Sequence, residues 1–225
     1  MQRLMAIQIV SPTLPKTKLQ EILEKRKPLV TGGHFLYPAD DRGPSSHLSS
    51  FFYLARLTSS PEFVSLLVAD LTEWIKRNRV PVDVVFAPAD PVLVPIIVQL
   101  LESLRKPAAF LEYLPSGRFG SNIESAKLLQ LGEKVFVFNG VSTTGRCVGE
   151  TLPAYVEKAG GVVSAIGAFV KGTAPGVSAT ETKYGDRFYS ALQADIPMYS
   201  PDRCPLCKEG LPLVPWNASV SKGAI

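Results

Sequence analysis

Cysteine is scarce: three in 225 residues, an odd number that cannot form a complete set of disulfide pairs. A chain this long with so few thiols fits a reducing compartment and excludes a disulfide framework as the source of its stability. Histidine is scarcer still, with only His34 and His47. No window approaches the roughly 18 uninterrupted apolar residues of a membrane span. The short apolar patch within Met1 to Val10 lacks a following small-residue cleavage site, so a cytoplasmic location is expected. No run of five Lys or Arg occurs, no basic stripe is interleaved with aromatics, and the formal charge is only +4. These absences argue against nucleic acid as a partner. There is also no internal repeat and no low-complexity tract. What remains is a chain with 46% apolar and 20% charged residues, enough to bury a sizeable core.

The most informative stretch is Val135 to Cys147, Val-Phe-Val-Phe-Asn-Gly-Val-Ser-Thr-Thr-Gly-Arg-Cys. Val135 to Phe138 is a short apolar run, β-branched and aromatic, of the kind buried on both faces in a parallel sheet. A small polar turn, Ser142-Thr143-Thr144-Gly145, follows, and Val148, Leu152, Tyr155 and Val156 then recur at helical spacing. Such a turn opens a helix with unpaired backbone N–H groups, to which small side chains let an anion come close. One reading is a phosphate cradle; the other is an ordinary strand-to-helix cap.

The rest of the chain alternates in the same way. Lys16 to Lys27 reads as a helix ended by Pro28, and strands are expected around Gly33–Tyr37 and Ser50–Leu57. Ser60-Pro61-Glu62 is a helix start with a capping hydroxyl, Pro at the first position and an acid in the first turn. Val82 to Phe86 is then a core strand, leading through Ala87-Pro88-Ala89-Asp90 into a helix expected from Pro91 to about Arg105. Ala108–Leu111 follows as a short strand, Leu114–Asn122 as a mobile Gly/Ser loop, and Val162–Val170 as a further strand. Phe188 to Met198 returns to the sheet or covers its edge. Strands separated by helices imply a parallel sheet with right-handed crossovers.

Order and spacing together resemble the orotate-type phosphoribosyltransferases from about Gly32 to Pro215. The similarity rests on Val82 to Ala89, Leu129 to Val137, the Ser142–Arg146 loop, Glu157 to Gly161, and the ending Cys204-Pro-Leu-Cys-Lys-Glu-Gly-Leu-Pro-Leu. It implies an α/β fold of the type I phosphoribosyltransferase kind, a parallel sheet flanked by helices with a small N-terminal hood. The expected organisation is N-terminal helices and hood strands over 1–80, an α/β core over 81–200 and a tail with Pro and Cys over 201–225. The implied reaction moves ribose 5-phosphate from phosphoribosyl pyrophosphate to a pyrimidine base such as orotate, with Mg²⁺, in a homodimer.

By resemblance, Ser142, Thr143, Thr144, Gly145 and Arg146 hold the 5′-phosphate, Ala89 and Asp90 begin the pyrophosphate loop, Phe35 and Arg42 belong to the base-binding hood, and Arg118 is the cation of the mobile loop. Asn139 and Gly140 stand where the family carries an acidic pair that holds the ribose hydroxyls. Asn accepts a hydrogen bond but brings no charge, and Gly brings neither. The alternative is therefore a relative with impaired chemistry that binds a nucleoside monophosphate or sugar phosphate, or regulates a partner. Cys204 and Cys207 are two thiols in a turn, or half of a zinc site whose remaining ligands would be Cys147 and one histidine, or which a dimer completes; the expectation is no zinc.

Overall fold

The structure, a computed structural model, describes residues 7–37, 45–114, 119–123 and 128–215. Eleven strands and seven helices follow in chain order: β1 (Ile7–Ile9), α1 (Lys16–Arg26), β2 (Leu29–Tyr37), β3 (Ser46–Phe52), α2 (Ala55–Thr58), α3 (Pro61–Arg77), β4 (Val84–Pro88), α4 (Val94–Leu104), β5 (Ala108–Tyr113), β6 (Phe119–Ile123), β7 (Lys134–Ser142), α5 (Leu152–Lys158), β8 (Val162–Lys171), α6 (Pro175–Tyr184), β9 (Phe188–Ala194), β10 (Met198–Tyr199), α7 (Pro205–Lys208) and β11 (Val214–Pro215). Seven strands form the main sheet in the order β1-β9-β8-β7-β4-β5-β6; the hood is a second sheet in the order β10-β3-β2-β11. β5, β4, β7, β8 and β9 run parallel, while β1 and β6 close the two edges antiparallel.

β7 lies at the centre of the main sheet, as its apolar run implies. Alternation sends Phe136 and Phe138 into one core, with α1, α3 and α4, and Val135 and Val137 into the other, with α5. Both faces are therefore dry, which is why the run shows no polar alternation. Ser60 caps α3 by accepting the Phe63 N–H, with Pro61 in the first turn.

Four local expectations differ from the structure. Residues 53–57 do not extend β3; Leu54 and Leu57, three apart, are buried as a short helical turn, a spacing strands do not use. α4 starts at Val94 instead of Pro91, because Asp90 closes a turn by accepting the Val92 N–H on its carboxylate and the Leu93 N–H on its carbonyl. The far end of the expected mobile loop is β6, paired with β5. A π-helical turn, Cys147–Thr151, precedes α5. Pro153 has no N–H to give the Gly149 carbonyl one turn back, and that carbonyl instead accepts from Lys183 Nζ at 3.3 Å.

A buried carboxylate fastens the N-terminal segment. Asp70 on α3 accepts hydrogen bonds from the hydroxyls of Ser11, Thr13 and Tyr189. Burial, and then the neighbouring Asp70 charge, raise the Tyr189 phenol well above its ordinary range. No helix among the described residues is long and apolar enough to cross a membrane.

Candidate active site

In open α/β sheets ligands collect at the carboxyl ends of parallel strands. Here that edge carries the loop after β7, the turn after β4 and the start of α6. The loop after β7 is built by close backbone approach. Gly145 adopts φ +85°, a left-handed conformation costly for other residues, and a Cβ there would lie 2.4 Å from the Gly176 carbonyl oxygen. Reciprocally, a Cβ on Gly176 would lie 2.3 Å from the Thr144 carbonyl oxygen. Thr180 adds a hydroxyl that reaches both the Gly145 and Gly176 carbonyls, at 3.4 and 2.8 Å. The first turn of α6 thus acts as a mould for the loop.

The backbone N–H groups of Thr144, Gly145 and Arg146 have no acceptor among the described residues, and the helical run through Cys147–Lys158 begins directly behind them. Unpaired N–H groups at a helix start form an anion site. Thr143 and Thr144 are half-buried at its rim and the Arg146 side chain is exposed. Ser142 differs from its neighbours: its hydroxyl is buried with no hydrogen-bond partner. Its place is the last residue of β7, inside the sheet, paired with Lys171.

Asn139 and Gly140 lie one step before this loop. The Asn139 amide folds onto its own backbone, accepting the Gly140 N–H at 2.8 Å and donating to the Val141 carbonyl at 3.4 Å. Gly140 is wedged beneath two leucines: a Cβ there would lie 2.5 Å from Leu54 Cδ2 and 2.7 Å from Leu93 Cδ2. Both leucines are buried, so a carboxylate here would have to displace both side-chain ends within the core. The missing acid at 140 and these leucines are one packing solution.

Ala89 and Asp90 follow β4, the neighbour of β7. Asp90 is half-buried, and burial raises its carboxyl above the usual range, partly offset by the Val92 N–H that it accepts. Phe35 packs its ring into the core, edge-to-face with Phe51 at 4.9 Å. Arg42 and Arg118 lie outside the described residues.

Sequence comparison decides the family. A relative named orotate phosphoribosyltransferase from Caldicellulosiruptor saccharolyticus is 30% identical over 185 residues, 81% of this chain and 86% of that protein. This chain belongs to the orotate phosphoribosyltransferase family. Another family relative, the orotate phosphoribosyltransferase of Thermotoga maritima, is 29% identical over 194 residues, 86% of this chain and 94% of that one. The crystal structure of orotate phosphoribosyltransferase from Aeropyrum pernix superposes with a TM-score of 0.55 at 20% identity, covering 76% of this chain and 90% of that chain, and so shares the fold. No protein-family model matches the chain. Within the family frame, the mainly parallel sheet stands as the resemblance implied.

Of the alternatives open for Cys204 and Cys207, neither Cys147 nor a single histidine is what they meet: they converge on both His34 and His47 of the hood. The spacing of the tail alone gave no sign of this, because both histidine partners come from the first quarter of the chain.

Proposed function

We propose that this protein is an orotate phosphoribosyltransferase, transferring ribose 5-phosphate from phosphoribosyl pyrophosphate to orotate. The observation that carries the reading is the set of unpaired N–H groups at Thr144, Gly145 and Arg146, moulded by α6 at the carboxyl end of the central strand. These amides, with the Thr143 and Thr144 hydroxyls and the Arg146 guanidinium, hold the 5′-phosphate. The bond between ribose C1 and the pyrophosphate oxygen breaks, orotate N1 takes the carbon, and the N1 proton leaves to solvent.

The turn at Ala89–Asp90 faces the leaving group. Among the described residues no cluster of three acidic or imidazole ligands exists at this end, so Mg²⁺ would be held by substrate phosphates and one carboxylate, Asp90. When bound it neutralises diphosphate charge that Asp90 would otherwise repel. Asn139 offers the ribose hydroxyls an amide without charge, and Gly140 offers only backbone. A site lacking an anion opposite a developing cation loses roughly 10²–10³ in rate per contact. The reaction proposed is therefore slow, dominated by positioning of the phosphate and leaving group.

A homodimer is the proposed assembly. Val94 and Val98, one turn apart on α4 and 47% and 51% exposed, are apolar positions a second copy would cover; light scattering at two concentrations reads the mass. The activity test follows orotate absorbance and pyrophosphate release with phosphoribosyl pyrophosphate, with and without Mg²⁺. Mg²⁺-dependent loss of orotate, with equal pyrophosphate formed, is the expected result. Binding of a nucleoside 5′-monophosphate with no binding of phosphoribosyl pyrophosphate overturns the reading.

A further inference from the structure

The side chains of His34, His47, Cys204 and Cys207 place one ligand atom each within 4.8 Å of all the others. His34 and His47 sit on the adjacent hairpin strands β2 and β3, and both are buried. Cys204 precedes α7 as its cap residue and Cys207 lies within that single turn; Cys204 is only 1% exposed.

The tautomer of His34 is fixed by its surroundings. Its Nδ1 lies 2.8 Å from the Leu211 carbonyl oxygen, which can only accept, so Nδ1 carries the proton and Nε2 presents a bare lone pair. That lone pair meets three groups: His47 Nδ1 at 3.0 Å, Cys204 Sγ at 3.5 Å and Cys207 Sγ at 3.7 Å. Cys207 Sγ also lies 3.2 Å from His47 Nδ1. One lone pair cannot satisfy three partners by hydrogen bonding. It can share a cation with them. Bonds of about 2.0–2.3 Å from nitrogen and sulfur to a tetrahedral zinc ion give ligand–ligand edges of about 3.3–3.8 Å, close to the spacings seen here. The Leu211 carbonyl is then the outer partner that orients a ligating histidine.

A second observation is independent of this geometry. The tail from Pro205 to Pro215 buries none of its residues, and its only strand, β11, pairs with β2 over two positions, Val214 with Phe35 and Pro215 with Leu36. Apolar burial therefore does not hold it against the hood. Something else must, and the four ligand atoms are where the tail and the hood meet.

We infer that this chain carries a structural zinc site of the Cys₂His₂ type, formed by His34, His47, Cys204 and Cys207, which clamps the tail onto the hood sheet. All four positions for the ion are filled by protein, so the site is closed to substrate and holds structure instead of doing chemistry. Its ligands are none of the residues assigned to the phosphate, so its existence does not depend on the transferase reading.

The test is metal analysis of the full chain purified without chelator or added metal. About one zinc ion per chain is expected, retained through gel filtration. Replacing zinc with Co²⁺ should give the absorption of a tetrahedral thiolate complex, in the intact sequence. Cys204→Ser and Cys207→Ser should each lower zinc affinity at least tenfold, while Cys147→Ser leaves content unchanged. Trypsin cleavage after Lys208 should accelerate in chelator, which reads the clamp without any substitution. Absence of metal, or a Cys204–Cys207 disulfide found by mass in the freshly purified protein, overturns the inference. So does zinc that survives Cys204→Ser together with Cys207→Ser. None of these readouts involves orotate, so failure here and failure of the transferase reading are distinguishable.

Discussion

Gly176→Ala separates local propensity from the packing of the phosphate loop. Gly176 lies in the first turn of α6, where Ala is favoured over Gly by up to about 1 kcal/mol in a helix interior. Propensity alone therefore forecasts a more stable protein. The structure forecasts the reverse, because the new methyl would lie 2.3 Å from the Thr144 carbonyl oxygen, a backbone atom that cannot rotate aside. Overpacking of this kind costs about 1–3 kcal/mol. After subtracting the full propensity gain, the net loss is about 0–2 kcal/mol, or a fall in Tm of up to about 8 °C for a domain of this size. Relief of the overlap requires the loop to retreat by roughly an ångström, and displacements of that size cost up to about 10²-fold in positioned chemistry. The expected kinetic signature is a KM for phosphoribosyl pyrophosphate raised at least about tenfold, with KM for orotate less affected. Ser178→Ala, an exposed change in the same helix, controls for propensity and should leave KM unchanged. Calorimetry and initial rates on the two variants suffice. A higher Tm for Gly176→Ala with an unaltered KM would refute the argument that α6 moulds the loop.

Three further outcomes follow from the same residues. Ser142→Ala removes a buried hydroxyl that has no partner, so stability should rise by about 1 kcal/mol or stay level, with phosphate binding unaffected; a loss of binding would place the hydroxyl on the ligand. Asn139→Asp keeps the acceptor for the Gly140 N–H and adds charge, and should raise kcat about tenfold or more, whereas Gly140→Asp, forced against Leu54 and Leu93, should fold poorly; equal behaviour of the two would contradict the packing. Burial raises the Asp90 pKa, so the folded state holds its proton more tightly than the unfolded chain, and stability falls as pH rises from the ordinary carboxyl value through the raised one. Asp90→Asn retains an acceptor for Val92 and should be more stable than the parent at neutral pH, with the advantage vanishing in acid; an advantage independent of pH would exclude titration as its cause.

Much of the main sheet was legible because its signals are local. Val135–Phe138 announces a strand dry on both faces, Ser60-Pro61 announces a helix start, and Gly160 follows the helix it terminates with φ +84°. The features that escaped are those in which distant residues decide a local outcome. The π-helical turn needs both Pro153 and Lys183. Gly140 looks like a lost acid in the sequence, and only the arrival of Leu54 and Leu93 shows that the space itself is filled. The two cysteines suggested half of a metal site, and nothing in their spacing points back to β2 and β3 for the other half. Asp70 carries no local signal in the sequence, yet it gathers Ser11, Thr13 and Tyr189.

The strand order of the hood has a consequence for how the protein is made. β2 and β3 leave the ribosome early, but their sheet neighbours β10 and β11 belong to the last part of the chain. Roughly 150 residues separate β3 from β10, so at ordinary synthesis rates the early hairpin waits on the order of ten seconds with both outer edges unpaired. During that interval it is an open template for pairing with other chains. The α/β core between them is synthesised whole in the meantime. Hood closure is therefore a late, long-range event, and premature truncation before Met198 should yield a chain whose core can form but whose hairpin aggregates.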